Sequence, residues 1–139
     1  MQFSKSTDYA LHALAYLAHL NQSEPTGIRE LADMLNVSES YLSKIMTKLR
    51  KDGLVNAVPG VKGGYELSHP ASHISFLDVI LVMEGRQQLF ECSNSKSKQH
   101  QLLEERGASE CRIKHVMDAA EHHLFDYLAS QTIQSVIRD

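Results

Sequence analysis

The chain contains two cysteines, Cys92 and Cys111, whose thiols are the groups best suited to redox or metal chemistry. Cys111 stands at the start of a predicted helix, beside Arg112 and Lys114. The positive end of the helix dipole and the neighbouring cations favour the thiolate, which is the form that binds metal ions and reacts with oxidants. The two cysteines are therefore candidates for a sensing site.

The segment between the cysteines is long and poorly periodic, and such a connection is usually functional or disordered. It can bring Cys92 and Cys111 close enough for a reversible disulfide, and either thiolate can also be oxidised alone. A second interpretation gives the cysteines no regulatory role, and the effector then binds elsewhere or is a partner protein. The residues alone leave both interpretations open.

Histidines on the last predicted helix suggest a second metal site. His115 and His122 share a face, and His123 is adjacent, but no cysteine or carboxylate completes a tetrahedral set with them. We therefore predict no zinc site on this helix.

Residues 27–51 predict two helices joined by a short turn. Apolar residues repeat at helical spacing from Ile28 to Leu35, and Ser38 is a suitable N-cap for the second helix. That helix has one apolar face and one polar face, with no acidic residue between Glu39 and Asp52. This is the helix-turn-helix arrangement, whose second helix enters the major groove while its cations neutralise phosphates. The predicted DNA contacts of this helix are Ser38, Ser40, Tyr41, Lys44 and Lys48.

A glycine-rich hairpin follows, with strands predicted over 54–58 and 65–67 and a turn over 59–64. Glycine permits positive φ and leaves backbone N–H groups accessible to a phosphate. A helix-turn-helix followed by a hairpin is a winged helix, so the predicted fold class is mainly α with a small β-hairpin wing. The predicted wing contacts are Gly60, Val61, Lys62, Gly63 and Gly64.

The rest of the chain divides into three predicted segments. A helix that is capped by Ser75 and ends at Glu84-Gly85 closes a DNA-binding domain over 1–85, and residues 86–110 form a sensing loop. A long helix begins at Cys111 and opens a segment over 111–139. Its apolar residues recur at spacings of three and four, which is typical of a dimerisation helix; packing on its own domain is the alternative.

The composition of the 139 residues, 42% hydrophobic and 22% charged, is that of a soluble globular protein. Residues 1–65 hold seven basic and six acidic side chains, whereas residues 66–139 hold seven basic and eleven acidic. A mildly positive N-terminal part is compatible with DNA binding. The sequence shows no signal peptide, membrane-spanning run or catalytic motif, so we predict a cytoplasmic protein that is not an enzyme and has no membrane partner.

Five stretches resemble the Rrf2 family of bacterial winged-helix transcription factors. They are STDYALHALAYLA at 6–18, IRELA at 28–32, VSESYLSKI at 37–45, LRKDGLV at 49–55 and GVKGGYEL at 60–67. The resemblance spans nearly the whole chain and weakens after Gly85. Family members usually carry an arginine before the first wing glycine, which reaches into the minor groove. This chain has Pro59 there, and Lys62 is the nearest cation.

The resemblance also implies an iron–sulfur cluster. In cluster-binding members three loop cysteines ligate the iron, and Cys92 and Cys111 resemble the first and the last of them. The middle cysteine is absent here. Asp8 matches the position from which some members take a carboxylate ligand of the partner subunit, and His100 or another loop residue would complete the set.

Together these observations predict a sequence-specific DNA-binding transcriptional regulator, a repressor, that binds a palindromic double-stranded operator as a homodimer. A redox or iron–sulfur signal at Cys92 and Cys111 would switch its affinity. The alternative is a winged-helix protein-interaction module whose cysteines have no regulatory role.

Overall fold

The secondary structure follows the predicted order. The computed structural model describes residues 2–20, 24–86, 88–107 and 111–137. Within them lie α1 (Lys5–Leu20), α2 (Ile28–Leu35), α3 (Glu39–Lys51), α4 (Phe76–Glu84), α5 (Lys98–Glu105) and α6 (Arg112–Ser130), and strands β1 (Val55–Val58) and β2 (Gly64–Leu67). Short 3-10 segments span Ala71–His73 and Ile133–Val136. The predicted fold class, mainly α with a small antiparallel hairpin, is confirmed.

The chain forms two compact units. The winged-helix unit comprises residues 2–85 and 128–137, and the second unit runs from Arg86 to Tyr127. The continuous part of the winged-helix unit ends at Gly85, and the DNA-binding role predicted for residues 1–85 stays a prediction. The C-terminal tail is placed differently from the predicted 111–139 segment, because Ile133 is fully buried in the winged-helix core. Its N–H also donates to the carbonyl of Ile74 at 2.9 Å.

The apolar faces predicted for α1, α2 and α3 meet in the core of the winged-helix unit. Their buried apolar residues are Ala10, Ala13, Leu14, Leu17, Leu31, Ala32, Leu42, Ile45, Met46 and Leu49. Each large aliphatic side chain contributes about 2 kcal/mol by its burial. Turning α3 over would expose four of these residues, so the burial fixes which face of α3 points to solvent.

Helix α4 begins and ends at the predicted residues. Ser75 Oγ accepts from the N–H of Asp78 at 3.0 Å, and the Asp78 carboxylate accepts from the N–H of Ser75 at 2.9 Å. This reciprocal capping box satisfies two backbone donors at the helix start. The helix buries Val79 and Ile80 and stops at Gly85, whose φ of +77° suits glycine.

The second unit contains α5 and most of α6, and neither helix has a buried residue. On α6 the apolar side chains Ile113, Val116 and Met117 are 61%, 65% and 39% exposed. The predicted apolar stripe is therefore present and uncovered in the single chain. Every helix in the described ranges is too short or too polar to span a membrane.

Candidate DNA-binding surface and cysteine–histidine centre

A tight turn joins α2 to α3. Asn36 ends α2 in the left-handed region, with φ at 55°, a conformation that asparagine tolerates better than most residues. The N–H of Val37 donates back to the carbonyl of Ala32 at 3.0 Å. Ser38 then caps α3, since its hydroxyl accepts from the N–H of Tyr41 at 3.2 Å. The predicted N-cap is confirmed.

The outward face of α3 carries most of the predicted DNA contacts. Ser38, Ser40, Lys44 and Lys48 are exposed. Lys44 and Lys48 lie one helical turn apart and therefore project on the same side. Cations in such a row attract phosphates, and serine hydroxyls beside them are able to bond to base edges or phosphates.

Tyr41, also predicted to contact DNA, is held by α1. Its hydroxyl lies 3.1 Å from the hydroxyl of Ser6. Its ring meets that of Tyr9 edge to face, with centroids 5.7 Å apart and planes at 86°. This geometry is favourable for aromatic pairs. The half-buried Tyr41 therefore positions the start of α3 against α1, a role that the sequence did not reveal.

The tip of the wing is exposed. Strands β1 and β2 pair from Val55 opposite Leu67 to Val58 opposite Gly64. Gly60 turns the chain with φ at +105°. The side chain of Val61 projects fully into solvent, and Lys62 is exposed. An apolar side chain and a cation at a wing tip are available to a DNA groove.

The last wing glycines are required by packing. A Cβ on Gly64, whose φ is +155°, would lie 2.3 Å from the carbonyl oxygen of Thr26. Thr26 and Tyr65 exchange two backbone hydrogen bonds, of 2.9 and 2.8 Å, so the segment before α2 lies against the hairpin. A Cβ on Gly63 would lie 2.0 Å from the carbonyl oxygen of Val58. The sequence suggested accessibility to phosphate as the reason for these glycines; close backbone approach is a second reason.

A carboxylate at the end of α4 faces the start of α1. Glu84 accepts from the hydroxyl of buried Thr7 at 2.7 Å and from the N–H of Ser4 at 2.6 Å. These hydrogen bonds lower the pKa of Glu84, and the positive charge of Lys48 lowers it further. No local signal in the sequence indicates this link between α1 and α4.

Cys92, His100 and Cys111 come together in the second unit. Their ligand atoms all lie within 4.8 Å of one another, and Cys92 Sγ is 3.4 Å from His100 Nε2. Ser97 caps α5 by accepting from the N–H of His100, and its hydroxyl lies 3.1 Å from His100 Nδ1. The three side chains are half-buried and line a cavity of about 400 Å³.

Cys111 favours its thiolate. The backbone N–H of Lys114 donates to Cys111 Sγ at 3.5 Å, which is the chief reason that the pKa of Cys111 falls to about 7. Burial opposes this shift, and hydrogen bonds with His100 and Cys92 add to it. The direction agrees with the prediction from the helix N-terminus, and the structure identifies the donor.

Comparison with known proteins decides the family. The family model described as "Rrf2: Iron-dependent Transcriptional regulator" matches residues 3–139. The chain belongs to the Rrf2 family. This Rrf2 protein is a transcriptional regulator of the DNA-binding winged-helix type and not an enzyme.

Related regulators match the Rrf2 chain along nearly its full length. NsrR of Bacillus licheniformis is 33% identical over 137 residues, which cover 99% of this chain and 92% of the relative. The structure of CymR, the global cysteine regulator of B. subtilis, superposes with a TM-score of 0.73 at 27% identity, covering 98% and 95% of the two chains. The oxidized form of Staphylococcus aureus CymR gives a TM-score of 0.70 at 27% identity, covering 100% and 99%.

The second unit of this Rrf2 protein contains two thiols and one imidazole that could serve as metal ligands. Among the described residues, Cys92, His100 and Cys111 form the one group of three or more donors able to share an ion. Asp8 is exposed in the winged-helix unit, where its carboxylate lies 2.9 Å from His12 Nδ1. An iron–sulfur cluster ordinarily takes four ligands on more than one iron, so this compact set of three leaves its coordination incomplete.

The histidines of α6 stay apart from this group. His122 faces Asp126 at 3.3 Å, and His115 is exposed. Within the described part of the chain, neither of them belongs to a group of three or more donors that could share an ion.

Proposed function

We propose that this Rrf2 regulator represses transcription by binding a palindromic operator as a homodimer, and that Cys92 and Cys111 switch its affinity. The observation that carries the proposal is the exposed face of α3 with Lys44 and Lys48. The buried side of the same helix holds that face outward. Its cations neutralise phosphates, and its serines and the wing tip contact base edges or the adjacent groove.

The apolar stripe of α6 supports the dimer. Ile113, Val116 and Met117 are exposed along one helix in the single chain. An exposed stripe with coiled-coil-like spacing is stabilised by a second copy of the same helix. A two-fold dimer presents two recognition helices to the two halves of a palindrome and doubles the phosphate contacts.

The proximity of the two sulfurs supports the switch. Cys92 Sγ and Cys111 Sγ lie within 4.8 Å, so a small movement joins them in a disulfide. The reaction passes two electrons to an oxidant such as a peroxide and releases the two thiol protons. The oxidized form of the related S. aureus CymR has been crystallised, which is consistent with redox control in the family.

An iron–sulfur signal at the same residues is the second form that the switch can take. The family description names iron dependence. Such a cluster requires a ligand beyond Cys92, His100 and Cys111, and the carboxylate of Asp8 from a partner subunit is the candidate that the family resemblance offers.

Selection from a pool of random double-stranded DNA tests the DNA-binding proposal. The parent protein should enrich one palindromic motif, whose half-sites are separated by about one helical turn or a multiple of it. Replacing both Lys44 and Lys48 by Ala should abolish the enrichment. A protein-interaction module, the alternative function, would enrich no motif.

The cysteine switch has a separate test. Operator affinity of the parent should change after treatment with a peroxide or after removal of metal. Cys92→Ser and Cys111→Ser should each remove that response while leaving DNA binding intact. A response of both variants equal to that of the parent would exclude cysteine sensing.

A further inference from the structure

The donor set in the second unit is arranged for one metal ion. We propose that Cys92, His100 and Cys111 bind a single divalent ion of the zinc class in tetrahedral coordination, with water as the fourth ligand. This inference rests on the proposed function, because it assigns a ligand to the same switch. It differs from the cluster that the family resemblance implies.

The spacing of the donor atoms favours a single ion. Zinc–sulfur and zinc–nitrogen bonds of about 2.3 and 2.0 Å in a tetrahedron place neighbouring donors about 3.5 to 3.8 Å apart. Cys92 Sγ and His100 Nε2 are already 3.4 Å apart, and no pair of the three donors exceeds 4.8 Å. Each ligand of a [4Fe–4S] cluster binds a different iron atom, and at a [2Fe–2S] cluster only two of the four ligands share an iron, whereas all three donors here lie close enough to share one ion.

The hydrogen-bond partners of His100 are compatible with the tautomer that binds a metal ion through Nε2. Ser97 Oγ already accepts the backbone N–H of His100 and lies 3.1 Å from its Nδ1. A protonated Nδ1 donates to that oxygen, which leaves the lone pair of Nε2 directed toward Cys92. Metal-binding histidines almost always donate their other ring N–H in this way.

The chemistry of the donors selects the ion. Two thiolates and one imidazole are soft or intermediate ligands, which suit zinc better than magnesium or calcium. The N–H of Lys114 donates to Cys111 Sγ and so supports negative charge on that sulfur. The cavity of about 400 Å³ beside the donors provides an entry path and room for the water ligand.

A bound ion connects metal binding to redox sensing. Each zinc-bound sulfur is a thiolate, so the ion and a Cys92–Cys111 disulfide exclude one another. The two thiolates give two electrons to hydrogen peroxide. The peroxide takes up two protons and is reduced to two water molecules. An S–S bond forms while two metal–sulfur bonds break. The ion, left with one protein ligand, is then released.

Cobalt titration of the reduced, metal-depleted, full-length protein tests the proposal directly. One equivalent of Co²⁺ should give the intense visible bands of a tetrahedral ion together with thiolate-to-cobalt charge transfer. Zinc should abolish both signals at one equivalent per chain. Weak octahedral bands without charge transfer, or saturation that differs from one equivalent, would overturn the proposal.

Variants identify the ligands. Because loss of an outer-shell partner already costs about 10–100-fold in metal affinity, His100→Ala should weaken zinc binding by at least about 100-fold and Ser97→Ala by about 10-fold. His122→Ala, on the exposed side of α6, is the matched control and should bind zinc like the parent. Unchanged zinc affinity in His100→Ala, with a parent-like circular dichroism spectrum, would overturn the assignment.

The same preparation separates this inference from the proposed function. Anaerobic purification that yields iron with acid-labile sulfide, at two or more irons per chain, would overturn the single-ion site and leave a cysteine-based switch intact. Failure of the DNA selection would defeat the proposed function without altering the zinc titration, which contains no DNA.

Discussion

The hydroxyl of Thr7 donates a hydrogen bond to the carboxylate of Glu84 at 2.7 Å, across 77 positions of sequence. Thr7 is 2% exposed in α1, and Glu84 is the last residue of α4. Lys48, a proposed phosphate contact on α3, lies close enough to act on the same carboxylate. One ionised group therefore links α1 to the helix that leads out of the winged-helix unit.

Thr7→Val should destabilise the winged-helix unit by about 1.5 kcal/mol or more at neutral pH, because it removes a hydrogen bond to a charged acceptor. The pKa of Glu84 is lowered in the folded state, so its stabilising contribution is complete above the ordinary value of 4.5 and is lost as the pH falls through the folded pKa. Urea denaturation of parent and variant should therefore show a difference that shrinks in acid.

Thr47→Val is the matched control for that experiment. The hydroxyl of Thr47 donates to the carbonyl oxygen of Ser43 at 2.7 Å, and a backbone carbonyl does not titrate. The effect of this variant should be independent of acid pH. A Thr7→Val effect that is equally constant would show that the Glu84 carboxylate is not the acceptor.

Gly64→Ala should destabilise the wing by about 2 kcal/mol or more, since its Cβ would clash with the Thr26 carbonyl and its φ of +155° strains an L residue. Gly60→Ala, also at positive φ but in open space, should cost only about 1 kcal/mol of backbone strain. Thermal unfolding of the two variants measures the difference. Equal midpoints would contradict the close contact at Gly64.

Val116→Glu should weaken the proposed dimer by about 100-fold or more, because it would bury an unpaired carboxylate in the interface. Val136→Glu is the control, since Val136 is 55% exposed in the winged-helix unit and lies outside the stripe on α6. Analytical ultracentrifugation over a range of concentrations should show a weakened dimer in the first variant alone. Parent-like association of Val116→Glu would exclude α6 as the interface.

Cys111 should be alkylated by iodoacetamide with a rate that is half-maximal at about pH 7 in the reduced, metal-free protein. The thiolate is the nucleophile, so the rate follows the thiolate fraction and falls as the pH drops below that value. In urea the hydrogen bond from Lys114 is lost, and the midpoint should rise toward the ordinary value of 9.0. Peptide mass spectrometry assigns the label; identical midpoints in the two conditions would contradict the local cause.

Local signals in the sequence predicted most of the fold. Ser38 and Ser75 are helix caps that depend only on the next three residues, and Gly85 ends a helix by its own conformational freedom. The apolar periodicity of α3 likewise determines which of its faces is buried. Such features need no knowledge of tertiary contacts.

Contacts between distant segments could not be predicted from the sequence. The reason for glycine at position 64 is the Thr26 backbone, and Tyr41 meets Ser6 only after α1 and α3 have packed. His100 was a candidate ligand together with other loop residues, because the path of residues 88–107 decides which side chain reaches Cys92. The residues and the family resemblance both indicated the cysteine pair, and the structure places His100 beside it.

The salt dependence of operator binding tests the central claim most directly. For the selected operator, Lys44→Ala and Lys48→Ala should each weaken binding and reduce the slope of log affinity against log salt by about 1, while Lys98→Ala, which removes the same charge from α5, should leave both unchanged. Parent-like affinity and slope in both α3 variants would contradict the assignment of α3 as the DNA-contacting helix.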